Sequence, residues 1–290
     1  TDLVESIQDI YEKEKCPFVV IIDEWDCIFR EFRQDKEAQE KYLDFLRDLL
    51  KDKACIHLAY MTGILPIKKY GTHSALNMFD EFSMINPGPL APYVGFTEKE
   101  VQALCNKYKM EMDEVKAWYD GYAFSHSQSV YSPRSVVNSM LFRKIENYWN
   151  QTETFEALQI YIDMNFDGLK DDVLGMIAGE SIPVNTGSFT NDMTTFRTED
   201  DVLTLLIHLG YLAYDLENKT VKIPNNEVRN EYVNSVAASN WGAVSTALKQ
   251  SADTLNAIWQ KRPRQVAEGI QLAHFETSHI QYNDENALSY

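Results

Sequence analysis

The N-terminal part of the chain alternates between apolar side chains at helical spacing and unbroken apolar runs. Residues 3–14 and 36–51 carry apolar side chains every three or four positions, which predicts two amphipathic helices. Residues 18–22 and 55–61 are nearly continuous apolar runs, a pattern typical of strands that are buried on both faces. A strand, a helix and a second strand make a βαβ unit, so we expect two parallel strands that are adjacent or nearly so.

Residues 96–160 predict a small helical subdomain, which we interpret as a lid. Thr97 and Glu100 stand at the spacing of a capping box, in which each side chain bonds the backbone N–H group of the other residue. Ser132 followed by Pro133 is the preferred order for an N-cap and a first helical position. Apolar residues recur at helical spacing after both of these starts.

Residues 211–215 and 220–224 predict a short β-hairpin, because two apolar stretches flank a polar turn. Helices are expected before the hairpin, over 167–178 and 199–209, and after it, over 226–237. This order of elements favours a winged-helix fold. The helix that precedes the hairpin is expected to pack beside it, with three side chains buried: Leu205, Leu206 and Leu209.

Composition and charge exclude several classes of protein. The 290 residues are 44% hydrophobic, which excludes wholesale disorder, and no apolar run is long enough to cross a membrane. A net charge of −17 argues against binding nucleic acid through a general positive field. The segment 197–235 has seven acidic and four basic side chains, which favours a structural role for the predicted winged helix over DNA binding.

The cysteines indicate a reducing compartment. They are scattered, with no C-x-x-C pair and no metal-ligand spacing, at Cys16, Cys27, Cys55 and Cys105. Because the N-terminus also carries no targeting pattern, we expect a cytoplasmic protein.

The strongest chemical signal lies where the two predicted strands end. Asp23 and Glu24 follow the first strand and Thr62 follows the second. Ligands bind at the carboxyl ends of strands in open α/β sheets, and adjacent carboxylates there can hold a cation or orient a water molecule. The alternative is that both carboxylates only cap the strand and face solvent. The phosphate-binding pattern G-x-x-x-x-G-K-[ST] does not occur in the 290 residues.

Several motifs, in this order along the chain, resemble the predicted AAA-ATPase-like family of bacterial proteins. They are Asp-Glu-Trp-Asp at 23–26, Met-Thr-Gly-Ile-Leu-Pro-Ile at 61–67, Trp-Tyr-Asp-Gly-Tyr at 118–122, Val-Tyr-Ser-Pro-Arg-Ser-Val at 130–136, and the stretch 209–229. Residues 282–286 resemble the opening of the PD-(D/E)XK-nuclease-like domain that often follows. Two departures are visible: the Walker A segment is absent, and the usual Asn-Pro-Trp-Ser is here Ser-Pro-Arg-Ser.

The resemblance implies an α/β P-loop-type core with an incomplete parallel sheet, followed by the helical lid, a winged helix and an α-helical C-terminal region. The implied domains are a partial ATPase core over 1–95, the lid over 96–160, a winged-helix-like domain over 161–238, and a helical segment over 239–290. That last segment would lead into a truncated nuclease-like domain.

The resemblance also implies roles for single residues. Asp23 would hold Mg²⁺, Glu24 would activate the attacking water, and Thr62 would sense the terminal phosphate of ATP. Pro133 and Arg134, at a helix start, would face the nucleotide, although a plain first-turn proline and a surface arginine are the alternative.

Three functions follow as hypotheses. In the first, the parent protein binds and hydrolyses ATP as a conformational switch, and this chain, without the phosphate-binding loop, is inactive and does not bind ATP tightly. In the second, the chain is a non-enzymatic scaffold whose acidic surface binds a protein partner or a second copy. In the third, the parent processes nucleic acid through the nuclease-like domain. None of them involves a membrane.

Overall fold

A computed structural model describes residues 2–32, 34–64, 76, 78–124, 128–149, 158, 166, 168–189, 196–238, 251 and 253–277. The chain forms two compact units. The first comprises residues 1–146 and 166–225, and the second comprises residues 147–165 and 226–290.

The first unit begins with a small parallel sheet and its helices. These elements are α1 (Leu3–Glu14), β1 (Phe18–Ile22), α2 (Cys27–Glu31), α3 (Lys36–Leu50) and β2 (Ile56–Met61). Strands β1 and β2 pair in parallel, with Ile22 opposite Met61, which confirms the predicted pairing. Asp35 caps α3 by accepting a hydrogen bond from the Ala38 N–H group (2.9 Å).

The parallel sheet is half-buried on one face and exposed on the other. Burial alternates along β1, and Val19 and Ile21 are 54% and 71% exposed, while Phe18, Val20 and Ile22 are half-buried. On β2, Leu58 and Tyr60 are likewise exposed. The predicted burial on both faces is therefore wrong, because no described element covers the outer side chains of this two-stranded sheet.

The middle of the first unit mixes helices with a second sheet. Its elements are a 3₁₀ helix (Gly88–Tyr93), β3 (Phe96–Thr97), α4 (Glu98–Tyr108), α5 (Met112–Tyr119), β4 (Tyr122–Phe124), β5 (Gln128–Tyr131) and α6 (Pro133–Phe142). The three strands are antiparallel in the order β3-β5-β4, so the predicted lid is not purely helical. The capping box at Thr97 and Glu100 is confirmed, with Thr97 N donating to Glu100 Oε2 (2.9 Å).

The remainder of the first unit contains the predicted hairpin. Its elements are α7 (Leu169–Ala178), β6 (Ile182–Pro183), α8 (Glu199–His208), β7 (Ala213–Asp215) and β8 (Thr220–Lys222). The strands form an antiparallel sheet in the order β6-β8-β7, and the β7–β8 pairing confirms the hairpin. Leu205 and Leu206 are buried as predicted, and Leu209 is half-buried. The winged-helix assignment itself stays a prediction.

The described part of the second unit is mostly helical. It contains α9 (Asn226–Ala238), a helix over residues 253–259, and α10 (Pro263–Thr277). Gly269 of α10 lies against Thr254, where a Cβ atom on the glycine would collide with the threonine side chain. Residues 282–286, which carry the nuclease-like resemblance, and the first part (239–250) of the predicted helical segment over 239–290 lie outside the described residues.

Helices long and apolar enough to cross a membrane do not occur in the described part of the chain. All four cysteines are free thiols.

Candidate functional site

The carboxyl ends of β1 and β2 bring Asp23 and Thr62 together. The backbone continues the strand pairing, since Thr62 N donates to Ile22 O and Trp25 N donates to Thr62 O, both at 2.9 Å. The hydroxyl of Thr62 donates to Asp23 Oδ1, which also accepts from Glu24 N (3.1 Å). The two residues predicted at one sheet edge are therefore in direct contact there.

Glu24 leaves the strand in an unusual backbone conformation. Its φ angle is +51°, in the left-handed region that non-glycine residues seldom adopt, at a cost of about 1–2 kcal/mol. The turn directs its carboxylate to Arg30 of α2, and the Arg30 Nη2 to Glu24 Oε2 distance is 2.7 Å. In this structure the predicted water-activating carboxylate is thus engaged in an ion pair.

Asp26 supports the same loop from inside. Its side chain is fully buried, its Oδ2 accepts from Ile64 N (3.2 Å), and Arg30 Nε lies 3.3 Å from that oxygen. A side chain at Gly63 would collide with Trp25 and Asp26, so the two strand ends are closely packed. Asp26 therefore acts as a structural anchor of the edge.

Arg30 connects the two carboxylates. Burial lowers the pKa of its guanidinium, but the hydrogen bond to Glu24 and the charges of Asp26 and Glu24 outweigh that effect and raise it. Arg30 is charged at any physiological pH. No motif in the sequence identifies Arg30 as a site residue; the available signal is its position four residues after Asp26, the spacing at which side chains meet on one face of a helix.

The carboxyl edge of the β1–β2 sheet could supply one carboxylate, that of Asp23, to a magnesium ion whose other ligands are water or phosphate oxygens. Oδ2 of Asp23 accepts no hydrogen bond from the described residues, so it is open to a cation or to its water shell. Groups of three or more metal-ligating side chains are absent from the described residues, so this part of the chain offers no complete protein cage for a metal. Mg²⁺ is often held in this way, by one or two carboxylates, water and phosphate oxygens.

Pro133 and Arg134 lie on a different part of the first unit. Both are exposed in the first turn of α6, which packs against α4 and α5. The helix begins at Pro133 as predicted, with Ser132 at the N-cap position. Their nucleotide role stays a prediction.

The Trp-Tyr-Asp-Gly-Tyr motif belongs to the interior of the first unit. Tyr119 and Tyr122 are buried. The Tyr119 hydroxyl donates a hydrogen bond to Glu146 O (2.8 Å) and accepts one from Glu146 N (3.1 Å). Asp120 O accepts from Asn225 Nδ2 (2.8 Å), which ties this motif to the end of the unit. These contacts make Tyr119 and Tyr122 part of the packed core of the first unit.

The fold and the edge define a mixed α/β chain with a small parallel sheet and an acidic carboxyl edge. Residues 1–72, which include β1, β2 and that edge, match the family described as Predicted AAA-ATPase. The match confirms the resemblance over this stretch. No curated protein and no solved structure matches the chain.

Proposed function

We propose that the edge formed by Asp23, Glu24 and Thr62 is the metal-binding and water-activating half of an ATP-hydrolysing site. The observation that carries this proposal is the direct hydrogen bond between Thr62 and Asp23 at the ends of two parallel strands, with Glu24 next in the chain. Residues 1–72 match a family of predicted ATPases, which supports the choice of nucleotide.

The chemistry expected of this edge is hydrolysis of the terminal phosphoanhydride. Water attacks the terminal phosphorus atom, the bond to the bridging oxygen of ADP breaks, and Glu24 accepts a proton from the attacking water. Mg²⁺ bound near Asp23 would neutralise charge on the phosphate oxygens. Thr62 would hold the Asp23 carboxylate in place and sense the terminal phosphate.

The 290 residues alone are expected to bind ATP poorly. Most affinity for a triphosphate comes from backbone N–H groups and the lysine of a G-x-x-x-x-G-K-[ST] loop, and that pattern is absent from this sequence. A net charge of −17 also repels a polyanion. The proposal is therefore that the parent protein, with such a loop, uses ATP as a conformational switch, and that Pro133 and Arg134 contact the nucleotide there.

The winged-helix-like segment is proposed to act within the protein rather than on DNA. The acidic residues at the start of α8 are used internally: Asp200 Oδ1 accepts from Asn185 N (2.9 Å), and Asp201 Oδ2 accepts from Arg197 N (3.0 Å). Asp201 is also buried. Such a helix start repels DNA phosphates.

The test compares the 290-residue chain with a longer polypeptide that carries the phosphate-binding loop. Millimolar Mg-ATP is expected to leave the melting temperature of the short chain unchanged and to raise that of the longer protein. In the longer protein, Glu24→Gln should keep ATP binding and abolish phosphate release, while Asp23→Asn should weaken both. Glu37→Gln, an exposed glutamate on α3, is the matched control. Micromolar binding of ATP by the short chain, or full turnover by Glu24→Gln, would contradict the proposal.

A further inference from the structure

We infer that Arg30 is a positioning residue that holds Glu24 in an inactive ion pair, and that binding of a divalent cation at Asp23 opens this pair. The inference rests on the proposed function and adds to it a regulatory contact made by the protein itself. Its basis is the arrangement of one guanidinium between two carboxylates, at 2.7 Å from Glu24 and 3.3 Å from Asp26.

Asp26 fixes one end of this arrangement. Its side chain is completely buried and accepts a hydrogen bond from Ile64 N, and the Gly63 backbone packs directly against it. Removing a buried carboxylate from its cationic partner is costly, so Arg30 stays with Asp26. The Arg30 guanidinium is therefore held in a fixed position at the sheet edge, and the Arg30 side chain is 24% exposed.

Glu24 is the movable partner. Its side chain is 68% exposed, whereas its backbone is held by the hydrogen bond from its N–H group to Asp23 and by the next residue, Trp25, which bonds Thr62 O. Opening of the ion pair therefore needs a rotation of the Glu24 side chain and no rearrangement of the strands. Side-chain rotations of exposed residues are fast, so this step can follow ligand binding without delay.

The ion pair keeps Glu24 from contacting an attacking water molecule. One oxygen of its carboxylate accepts the hydrogen bond from Arg30, so the side chain is held toward α2. A divalent cation at the adjacent Asp23 attracts the Glu24 carboxylate and repels the Arg30 cation. Cation binding and the Glu24–Arg30 pair thus compete for the same carboxylate, which couples the loading of the site to the release of Glu24.

The first experiment tests the ion pair in solution with the ¹⁵N-labelled 290-residue chain. The guanidinium N–H signals of Arg30 are expected to shift, and to exchange faster with water, when Glu24→Gln removes the charge. The signals of Arg47, which pairs with Asp44 on α3 at 2.8 Å, should not change. Identical Arg30 signals in the wild-type and Glu24→Gln chains would overturn the inference.

The second experiment tests the competition with Mg²⁺ as the probe. Addition of millimolar Mg²⁺ to the wild-type chain should move the Arg30 signals toward their positions in Glu24→Gln. Arg30→Gln is expected to raise the affinity for Mg²⁺ about threefold, and Arg30→Lys, which keeps a cation for Asp26, should raise it less. Arg47→Gln is the matched control and should leave the affinity unchanged.

A double-mutant cycle separates two effects of Arg30 on Mg²⁺ binding: its ion pair with Glu24 and its direct repulsion of the metal ion. In the Glu24→Gln background, Arg30→Gln should raise the affinity for Mg²⁺ less than it does in the wild type, because only the direct repulsion between the two cations is then removed. An equal rise in both backgrounds would show that Arg30 acts only as a nearby charge, which overturns the inference and leaves the metal site intact. If Asp23→Asn has no effect on Mg²⁺ binding, the proposed metal site is wrong, and the regulatory contact falls with it.

Discussion

The hydroxyl of Tyr122 donates a hydrogen bond to the carbonyl oxygen of Gly210, 2.6 Å away and 88 positions later in the chain. This contact joins β4, in the middle of the first unit, to the residues just before β7, and β4 and β7 also pack together. The antiparallel sheet that contains Tyr122 and the hairpin of β7 and β8 are therefore packed together within the first unit.

Replacing Tyr122 with phenylalanine is expected to lower the free energy of unfolding by about 1–3 kcal/mol, because the buried Gly210 carbonyl loses its partner while the aromatic ring remains. Urea denaturation of the two chains measures the difference. Tyr93→Phe is the control, since Tyr93 is 82% exposed and its change should stay within about 0.5 kcal/mol. Equal stability of Tyr122→Phe and wild type would contradict the role of this hydrogen bond.

Gly121→Ala should be among the most damaging single substitutions in the first unit. Gly121 has a φ angle of +116°, and a Cβ atom there would collide with the backbone of Pro224. We expect the free energy of unfolding to fall by about 2–5 kcal/mol, because the disfavoured backbone conformation and the steric collision act together.

Gly179→Ala is the matched control for Gly121→Ala. Gly179 has a similar φ angle, +101°, but no atom lies within 4 Å of an added Cβ. Gly179→Ala should therefore lower the free energy of unfolding only through the disfavoured backbone conformation. If urea denaturation shows that Gly121→Ala is no less stable than Gly179→Ala, the collision with Pro224 does not contribute to the destabilisation.

Glu227→Ala is expected to destabilise the second unit by about 2–4 kcal/mol. Its buried Oε1 accepts from the N–H groups of Tyr148 (2.7 Å) and Trp149 (3.1 Å), and both donors would lose this acceptor. Glu227→Gln keeps an acceptor oxygen, so it should destabilise the second unit by less than half as much as Glu227→Ala. Hydrogen exchange at the two amides is the direct measurement, and unchanged protection in Glu227→Ala would refute the expectation.

The stability of the first unit should depend on the ionisation of Glu199. Burial, the hydrogen bond with Asp172 and the nearby charges of Asp172 and Asp200 raise the pKa of Glu199 from 4.5 to about 8. The folded protein therefore holds this proton over a pH range in which the unfolded chain releases it. The contribution to stability is complete below pH 4.5 and is lost as the pH rises to about 8.

Melting curves between about pH 6 and pH 8, a range in which the chain keeps its net negative charge, test this dependence. Glu199→Gln should show a shallower fall in melting temperature than the wild type and should be the more stable chain at pH 8. Glu217→Gln, an exposed glutamate in the turn between β7 and β8, should follow the wild-type slope. Parallel curves for Glu199→Gln and the wild type would be inconsistent with the raised pKa.

The sequence predicted the local elements and the pairing of β1 with β2 well, because these follow from apolar periodicity and caps over short distances. It did not predict the exposure of Val19 and Ile21. An apolar run indicates a strand, but what covers each face depends on the elements that surround it in space. The sheet around Tyr122 and Val130 was also missed, since its strands are only two to four residues long.

In the candidate site, too, some features could be predicted from the sequence and others could not. The position of Asp23 beside Thr62 follows from two strand ends at one sheet edge, and this could be inferred from the sequence. The ion pair of Glu24 could not, because it depends on a left-handed backbone angle and on where α2 places Arg30. Likewise, Gly121 and Pro224 are far apart in the chain, and no periodic pattern links them.

The outward-facing side chains of the small parallel sheet make the colloidal behaviour of the chain depend on its charge. At pH 7 the net charge of −17 keeps molecules apart, although Val19, Ile21, Leu58 and Tyr60 face water on neighbouring strands. Near the isoelectric point of about 4.7 this repulsion disappears, and concentrated salt screens it at any pH. The chain should therefore precipitate from acidic solutions and stay dispersed in neutral buffers of low ionic strength.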